Sequence, residues 1–151
     1  MSKRLPEISV VITLLNEREN IKPLLEKIDE NLASLDYEVI LVDDGSTDGT
    51  VKEIKVHANE KVKLLKLQKN YGQSLAMAAG ISHAQGVYTV TMDGDLQNDP
   101  ADIPFLLDKI KDGDFDLVAG NRKNRQDGFV LRKIPSWIAN ALIRKFSGVH
   151  I

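Results

Sequence analysis

Five short runs of apolar, mostly β-branched residues, separated by stretches of helical period, constrain this chain more than any other feature. The runs are residues 8–15, 37–42, 62–67, 87–92 and 115–119. Their near-continuous hydrophobicity, as in Val39-Ile40-Leu41-Val42, is what a strand covered on both faces requires. Between them, residues 20–35, 47–57, 73–84 and 100–111 carry apolar side chains at three- and four-residue spacing, for example Ile21, Leu24, Leu25, Ile28 and Leu32. These stretches read as helices. Asp48 and Asp99 stand near helix starts, and Pro100 suits a first turn, where its missing N–H has no intrahelical partner to lose. Strict alternation requires right-handed crossovers that lay helices on both faces of a parallel sheet. The predicted fold class is α/β: a Rossmann-like, mostly parallel sheet flanked by helices on both faces.

The 151 residues make one domain, enough to bury roughly 70% of the extended chain's surface. A 42% hydrophobic and 28% charged composition excludes disordered and fibrous classes. No apolar run approaches the ~18 residues of a membrane span, and the first seven residues lead into a strand rather than a signal-peptide core. The chain is therefore expected neither to cross a membrane nor to be exported. With no cysteine and three histidines, a bound metal would be held by oxygen. His57 and His83 fall on helices as surface or packing residues, and His150 is too near the end to read.

Charge is unevenly spread. Residues 1–120 hold 13 basic and 21 acidic side chains, net −8, whereas residues 121–151 hold 7 basic and 1 acidic, net +6. Such asymmetry points the tail at an anionic partner, phosphate or a membrane surface, against the plainer reading of a solvated basic helix. Within the tail, residues 121–129 read as a polar loop. Ile134, Trp137, Ile138, Ala141, Leu142 and Phe146 then form an apolar stripe bordered by Arg132, Lys133, Arg144 and Lys145, the pattern of a helix lying on a bilayer or packed on the sheet. The chain stops soon after it, as a fragment of something longer would.

In open parallel sheets, ligands bind beyond the carboxyl ends of the strands where the strand order reverses. There the sequence places Thr13-Leu14-Leu15-Asn16-Glu17, Asp43-Asp44-Gly45-Ser46-Thr47-Asp48-Gly49-Thr50 and Asp93-Gly94-Asp95-Leu96-Gln97-Asn98-Asp99-Pro100. Acids that converge repel one another unless a cation offsets them. In a continuing strand Asp93 and Asp95 would stand about 7 Å apart on one face, so both reach one ion only if the strand ends and the chain turns at Gly94. Oxygen ligands without Cys or His favour Mg²⁺ or Mn²⁺, with a diphosphate as natural co-ligand. The alternative is an Asx-rich turn that caps the next helix, which suffices for Asp99. For Asp48 and its two flanking glycines, turn and capping chemistry likewise suffices.

These motifs, with Ser9-Val10-Val11-Ile12-Thr13 before them and Asn70-Tyr71-Gly72 between, resemble the family 2 glycosyltransferases of GT-A fold. Asp95-Leu96-Gln97 resembles the branch of dolichyl- and polyprenyl-phosphate sugar synthases, including bactoprenol glucosyltransferases. The resemblance covers nearly the whole chain. It implies a nucleotide pocket lined by Thr13, Leu15, Glu17, Asp44, Ser46 and Asp93, and a Mg²⁺ or Mn²⁺ ion held by Asp93, Asp95 and Gln97. Arg122, Arg132 and Ser136 would hold donor and lipid phosphates, with Asp93, Asp95 and Arg122 the catalytic set. Proline usually stands in the family where this chain has Thr13, and lysine or arginine commonly where it has Gln73.

The activity so implied is inverting transfer of a hexose from a UDP-glucose- or GDP-mannose-type donor to a polyprenyl phosphate, at the cytoplasmic face of a membrane. Residues 1–120 would bind the nucleotide sugar, and residues 121–151 would face the acceptor. The implied partners are the donor, the lipid phosphate and a membrane surface met by the basic helix 134–146, with no nucleic acid. A saccharide hydroxyl acceptor and a nucleotide-binding fragment without turnover remain alternatives. Thr89-Val90-Thr91-Met92-Asp93-Gly94-Asp95 also resembles the opening strand of the haloacid-dehalogenase-type phosphatases, where the first acid is a nucleophile.

Overall fold

A computed structural model of the chain describes residues 5–120. Strands β1 (Ile8–Leu14) and β2 (Tyr37–Asp43) are buried along their whole length. They form the centre of a four-stranded sheet completed by β3 (Val62–Lys66) and β4 (Tyr88–Asp93), in the order β3-β2-β1-β4 with every pair parallel. A 3₁₀ turn at Arg18–Asn20 leads into α1 (Ile21–Leu32), and α2 (Thr50–His57), α3 (Gln73–His83) and α4 (Asp102–Asp112) make the other crossovers and the last helix. The order runs outward from β1 to β3 and then returns to place β4 on the other side of β1, so the switch point lies between β1 and β4.

Alternation along the strands divides the core into two layers. Ile8, Val10, Ile12 and Leu14 of β1 and Tyr37, Val39 and Leu41 of β2 pack with the apolar stripe of α1, Ile54 of α2 and Ile103 and Leu107 of α4. On the opposite face, Val11, Ile40 and Val42 meet Ala76 of α3. Each fully buried aliphatic side chain contributes roughly 1.5–3 kcal/mol, so the first layer supplies most of the stability. Helices on both faces explain why the middle strands needed an unbroken apolar run.

A polar knot interrupts the α3 face at the end remote from the strands' carboxyl termini. Glu38, nearly inaccessible, accepts the Ser9 hydroxyl at 2.6 Å, the Lys63 ammonium at 2.5 Å and the Gln85 N–H at 2.8 Å. Burial by itself would raise this carboxyl, but the bonds from Lys63, Ser9 and Gln85 outweigh it and hold the group below the ordinary carboxylate range.

Three expectations need correcting. Residues 115–119 form no strand, and Phe115 and Leu117 are exposed. A β-like run becomes a strand only where a neighbouring edge accepts its hydrogen bonds, and among the described residues β4 pairs only with β1. Residues 47–49 stay outside α2. Gly49 is left-handed at φ 100°, and the Asp48 carboxylate turns the chain by accepting the Thr50 N–H at 2.9 Å and its hydroxyl at 2.6 Å. Finally, α4 starts at Asp102, after a turn in which Asp99 accepts the Ala101 N–H at 3.1 Å.

Candidate active site

Beyond the carboxyl ends of the strands lies an open cleft of about 390 Å³. The end of β1 contributes Thr13, Leu14, Leu15 and Glu17, the end of β2 contributes Asp44, and the loop into α3 contributes Asn70, Gly72 and Gln73. Asp93, Gly94 and Asp95 at the end of β4 close it. Thr13 and Asp93 are partners in register, so the β1–β4 pairing itself sets the first acid beside the β1 wall.

β4 ends at Asp93, as two acids sharing one ion require. Gly94 serves space rather than backbone freedom. Its φ is not positive, and a Cβ there would fall 2.2 Å from Leu14 Cδ2 and 3.3 Å from the Thr13 carbonyl oxygen. The left-handed residue of the turn is Leu96 (φ 62°), an uncommon conformation for a branched side chain, partly buried against the α1 layer. The turn is closed by the Gln97 N–H, which donates to Asp95 Oδ1 at 3.0 Å.

Asp93 Oδ1 accepts the Gln73 amide at 2.6 Å. Among the described residues no lysine or arginine forms an ion pair with Asp93 or Asp95, and the cleft lining has four carboxylates and no basic side chain. Such a lining attracts a cation. Two hard carboxylates opening into a solvent-filled cleft fit Mg²⁺ or Mn²⁺, whose remaining positions water and phosphate oxygens fill. Among the described residues no three such groups cluster tightly enough to hold an ion by themselves.

Asp44 is buried and already engaged: its two oxygens accept the N–H groups of Tyr71 at 2.7 Å and Gly72 at 2.9 Å, which fixes the loop before α3 against the cleft. Carboxylate oxygens have lone pairs to spare for a second donor. Asp43, one residue earlier, points to the other face, where its Oδ2 is buried without a partner among the described residues. Of the residues expected to meet the nucleotide, Thr13, Leu15, Glu17, Asp44 and Asp93 line the cleft together and Ser46 does not; of the expected metal ligands, Asp93 and Asp95 line it and Gln97 does not. Ser46 instead accepts the Asn16 N–H at 2.9 Å, and Asn16 Oδ1 accepts the Thr47 N–H at 2.9 Å. The Glu17 N–H bonds Thr50 Oγ1 at 3.0 Å and the Arg18 N–H bonds Asp48 Oδ2 at 3.1 Å, so four bonds lace the loop after β1 to the loop after β2. Burial would raise the Asp48 carboxyl, but the Thr50 and Arg18 donors hold it below its ordinary range. Neither His57, bonded to Glu53 at 3.1 Å, nor His83, against the Ala79 carbonyl at 2.9 Å, lines the cleft. Arg122, Arg132, Ser136 and the helix expected over 134–146 lie outside the described residues.

The model of the family described as "Glycosyl transferase family 2" matches residues 9–150. The chain belongs to that family. Membership sets aside the phosphatase resemblance of the Asp93-Gly94-Asp95 strand. Among curated family relatives, a dodecaprenyl-phosphate galacturonate synthase of Rhizobium johnstonii is 45% identical over 96% of this chain and 44% of its own length. An undecaprenyl-phosphate 4-deoxy-4-formamido-L-arabinose transferase of Proteus mirabilis is 40% identical over 97% of this chain and 46% of its own length. The chain thus spans about half the length of the curated relatives it matches. The fold is that of GT-A enzymes: a glucosyl-3-phosphoglycerate synthase from Mycobacterium tuberculosis, solved with UDP, superposes with a TM-score of 0.67 at 23% identity, over 95% of this chain and 51% of that one. A mannosyltransferase from Pyrobaculum calidifontis, solved with GDP-Man and Mn²⁺, gives 0.54 at 27% identity, over 61% of this chain and 28% of that one.

Proposed function

We propose that this chain is the donor-binding part of an inverting glycosyltransferase, which moves a sugar from a nucleoside diphosphate to a polyprenyl phosphate with Mg²⁺ or Mn²⁺ at the cytoplasmic face of a membrane. The observation that carries the reading is the Asp93 and Asp95 pair, set at the switch point in a carboxylate-lined cleft and neutralised by no basic side chain among the described residues. The names of the two relatives support the acceptor class, and they widen the sugar beyond neutral hexoses to a galacturonate and a formamido-arabinose.

A bound divalent cation would offset the charge that grows on a departing diphosphate. Asp93 and Asp95 would hold it, with Gln97 as a further ligand. Thr13, Leu15, Glu17 and Asp44 would frame the nucleoside, with Ser46 buttressing the same wall. Arg122, Arg132 and Ser136 would receive phosphate oxygens of donor and acceptor. Inversion implies a single displacement from the opposite face of the sugar. A lipid phosphate is already anionic near neutral pH and can attack without surrendering a proton to a base, whereas a sugar hydroxyl would require one. Residues 1–120 would then form the donor-binding core and residues 121–151, net +6, the side that meets lipid.

The test is calorimetric titration of UDP and GDP sugars into the full chain with and without Mn²⁺. Binding that depends on Mn²⁺ and disappears in Asp95→Ala is the expected outcome, and affinity unchanged by that substitution refutes the assignment. Turnover on a polyprenyl phosphate is measured separately, since relatives extend well past the matched region.

A further inference from the structure

Helix α3 is held at both ends. At its start Asp44 receives the N–H groups of Tyr71 and Gly72, and just past its end Glu38 and Ser9 receive those of Gln85 and Gly86, each at 2.8 Å. Between these anchors Gly80 lies flat on the sheet: a Cβ there would stand 2.3 Å from Val11 Cγ1 and 2.8 Å from Val42 Cγ2. A helix fixed in this way presents its first side chain, Gln73, at one place over the end of β4. There Gln73 Nε2 donates to Asp93 Oδ1 at 2.6 Å, joining residues 20 positions apart. Because a carboxylate only accepts, the amide nitrogen faces Asp93 and the amide oxygen points elsewhere.

We propose that Gln73 is a positioning residue of the cation site: its amide fixes Asp93 through Oδ1 and, being neutral, leaves the full negative charge of Asp93 and Asp95 to the cation. The proposal rests on the reading of those two acids as cation ligands. Neutrality is the part with consequences. An ammonium in place of the amide would ion-pair with Asp93 and repel the incoming ion. A unit charge about 6 Å from a divalent cation changes its affinity about tenfold even at the dielectric constant of water. Removing the amide altogether frees Asp93 to rotate but adds no charge. Gln73→Ala and Gln73→Lys therefore separate orientation from electrostatics. The first lowers Mn²⁺ affinity by about three- to tenfold, the loss of one charge-assisted hydrogen bond that preorganised a ligand. The second lowers it about tenfold further, and salt shrinks that extra step by screening.

The experiment is Mn²⁺ titration of the full chain, followed by the electron paramagnetic resonance of the free ion, at low and high ionic strength. Asp95→Ala serves as the site control, and urea midpoints check folding. In the metal-free chain, the side-chain amide resonance of Gln73 should shift in Asp93→Asn. The order wild type, Gln73→Ala, Gln73→Lys with salt dependence confined to the last step, at unchanged midpoints, supports the proposal. Equal affinities across the three, at a site that Asp95→Ala abolishes, overturn it and leave the site reading intact. A wild-type Mn²⁺ affinity untouched by Asp95→Ala overturns both.

Discussion

Glu38 offers a stability prediction that is independent of the cleft. It sits within an apolar strand at 6% exposure, and its carboxylate takes the Ser9 hydroxyl, the Gln85 N–H and the Lys63 ammonium. Hydrogen bonds to a charged acceptor contribute roughly 1.5–3 kcal/mol, against about 0.5–1.5 for neutral pairs. Glu38→Gln keeps the shape, removes the charge and turns one oxygen into an NH₂ that must face a donor. Losing ~1 kcal/mol on each of three bonds would total about 3 kcal/mol. The Lys63 side chain is 43% exposed, so water screens its share and about 2–3 kcal/mol is expected, a Tm lower by roughly 5–10 °C. Because folding depresses this carboxyl, its contribution is complete above the unfolded value of about 4.3 and is lost as pH falls through the lower folded value. Urea unfolding of both proteins near neutral pH and at about pH 3 should show the gap closing on acidification. Equal midpoints near neutrality, or a gap that stays constant into acid, would refute the reasoning.

At Gly94, alanine would press on Leu14, itself fully buried; a loss of about 1–3 kcal/mol with weaker Mn²⁺ binding is expected, and thermal and Mn²⁺ titrations matching wild type would count against it. Burial and the Asp29 carboxylate push the Tyr37 phenol well above the usual range, so its contribution holds below the ordinary value of about 10 and fades as pH rises further. In an ultraviolet titration one phenol should ionise late, that lag should vanish in Tyr37→Phe, and stability near neutrality should fall by about 1–2 kcal/mol; identical titration curves would sink the idea. Glutamine at both Arg144 and Lys145 should reduce sedimentation with anionic vesicles by at least about tenfold, at ~1 kcal/mol per basic residue. Undiminished sedimentation would remove the case for a lipid-facing tail.

Local pattern was sufficient where physics is local. Val39 to Val42 had to be a strand covered on both faces because nothing else buries four consecutive apolar residues so economically, and the α1 stripe named its own buried face. Residues 115–119 carry a similar pattern and form no strand, because a ladder depends on an edge elsewhere in the molecule. The acids of the cleft were legible as a group, since strand ends collect on one side of a parallel sheet. Their individual duties were not. Asp44 is engaged by backbone 27 and 28 positions away, Glu38 draws partners from 25 to 47 positions away, and the bond that gives Gln73 its meaning spans 20. No window of sequence shows such pairings. The turn at Gly94 was legible and β4 does end just before it, but the need for a missing Cβ there was not, because it rests on the Leu14 methyl packed against the backbone.

The lacing of Asn16 and Ser46, Thr47 and Asn16, Glu17 and Thr50, and Arg18 and Asp48 has a kinetic corollary. A ligand arriving at that wall finds its shape already made, so the entropy of ordering it was surrendered during folding rather than on encounter. Association there should be a single concentration-dependent phase in stopped flow, without a slow rearrangement trailing it.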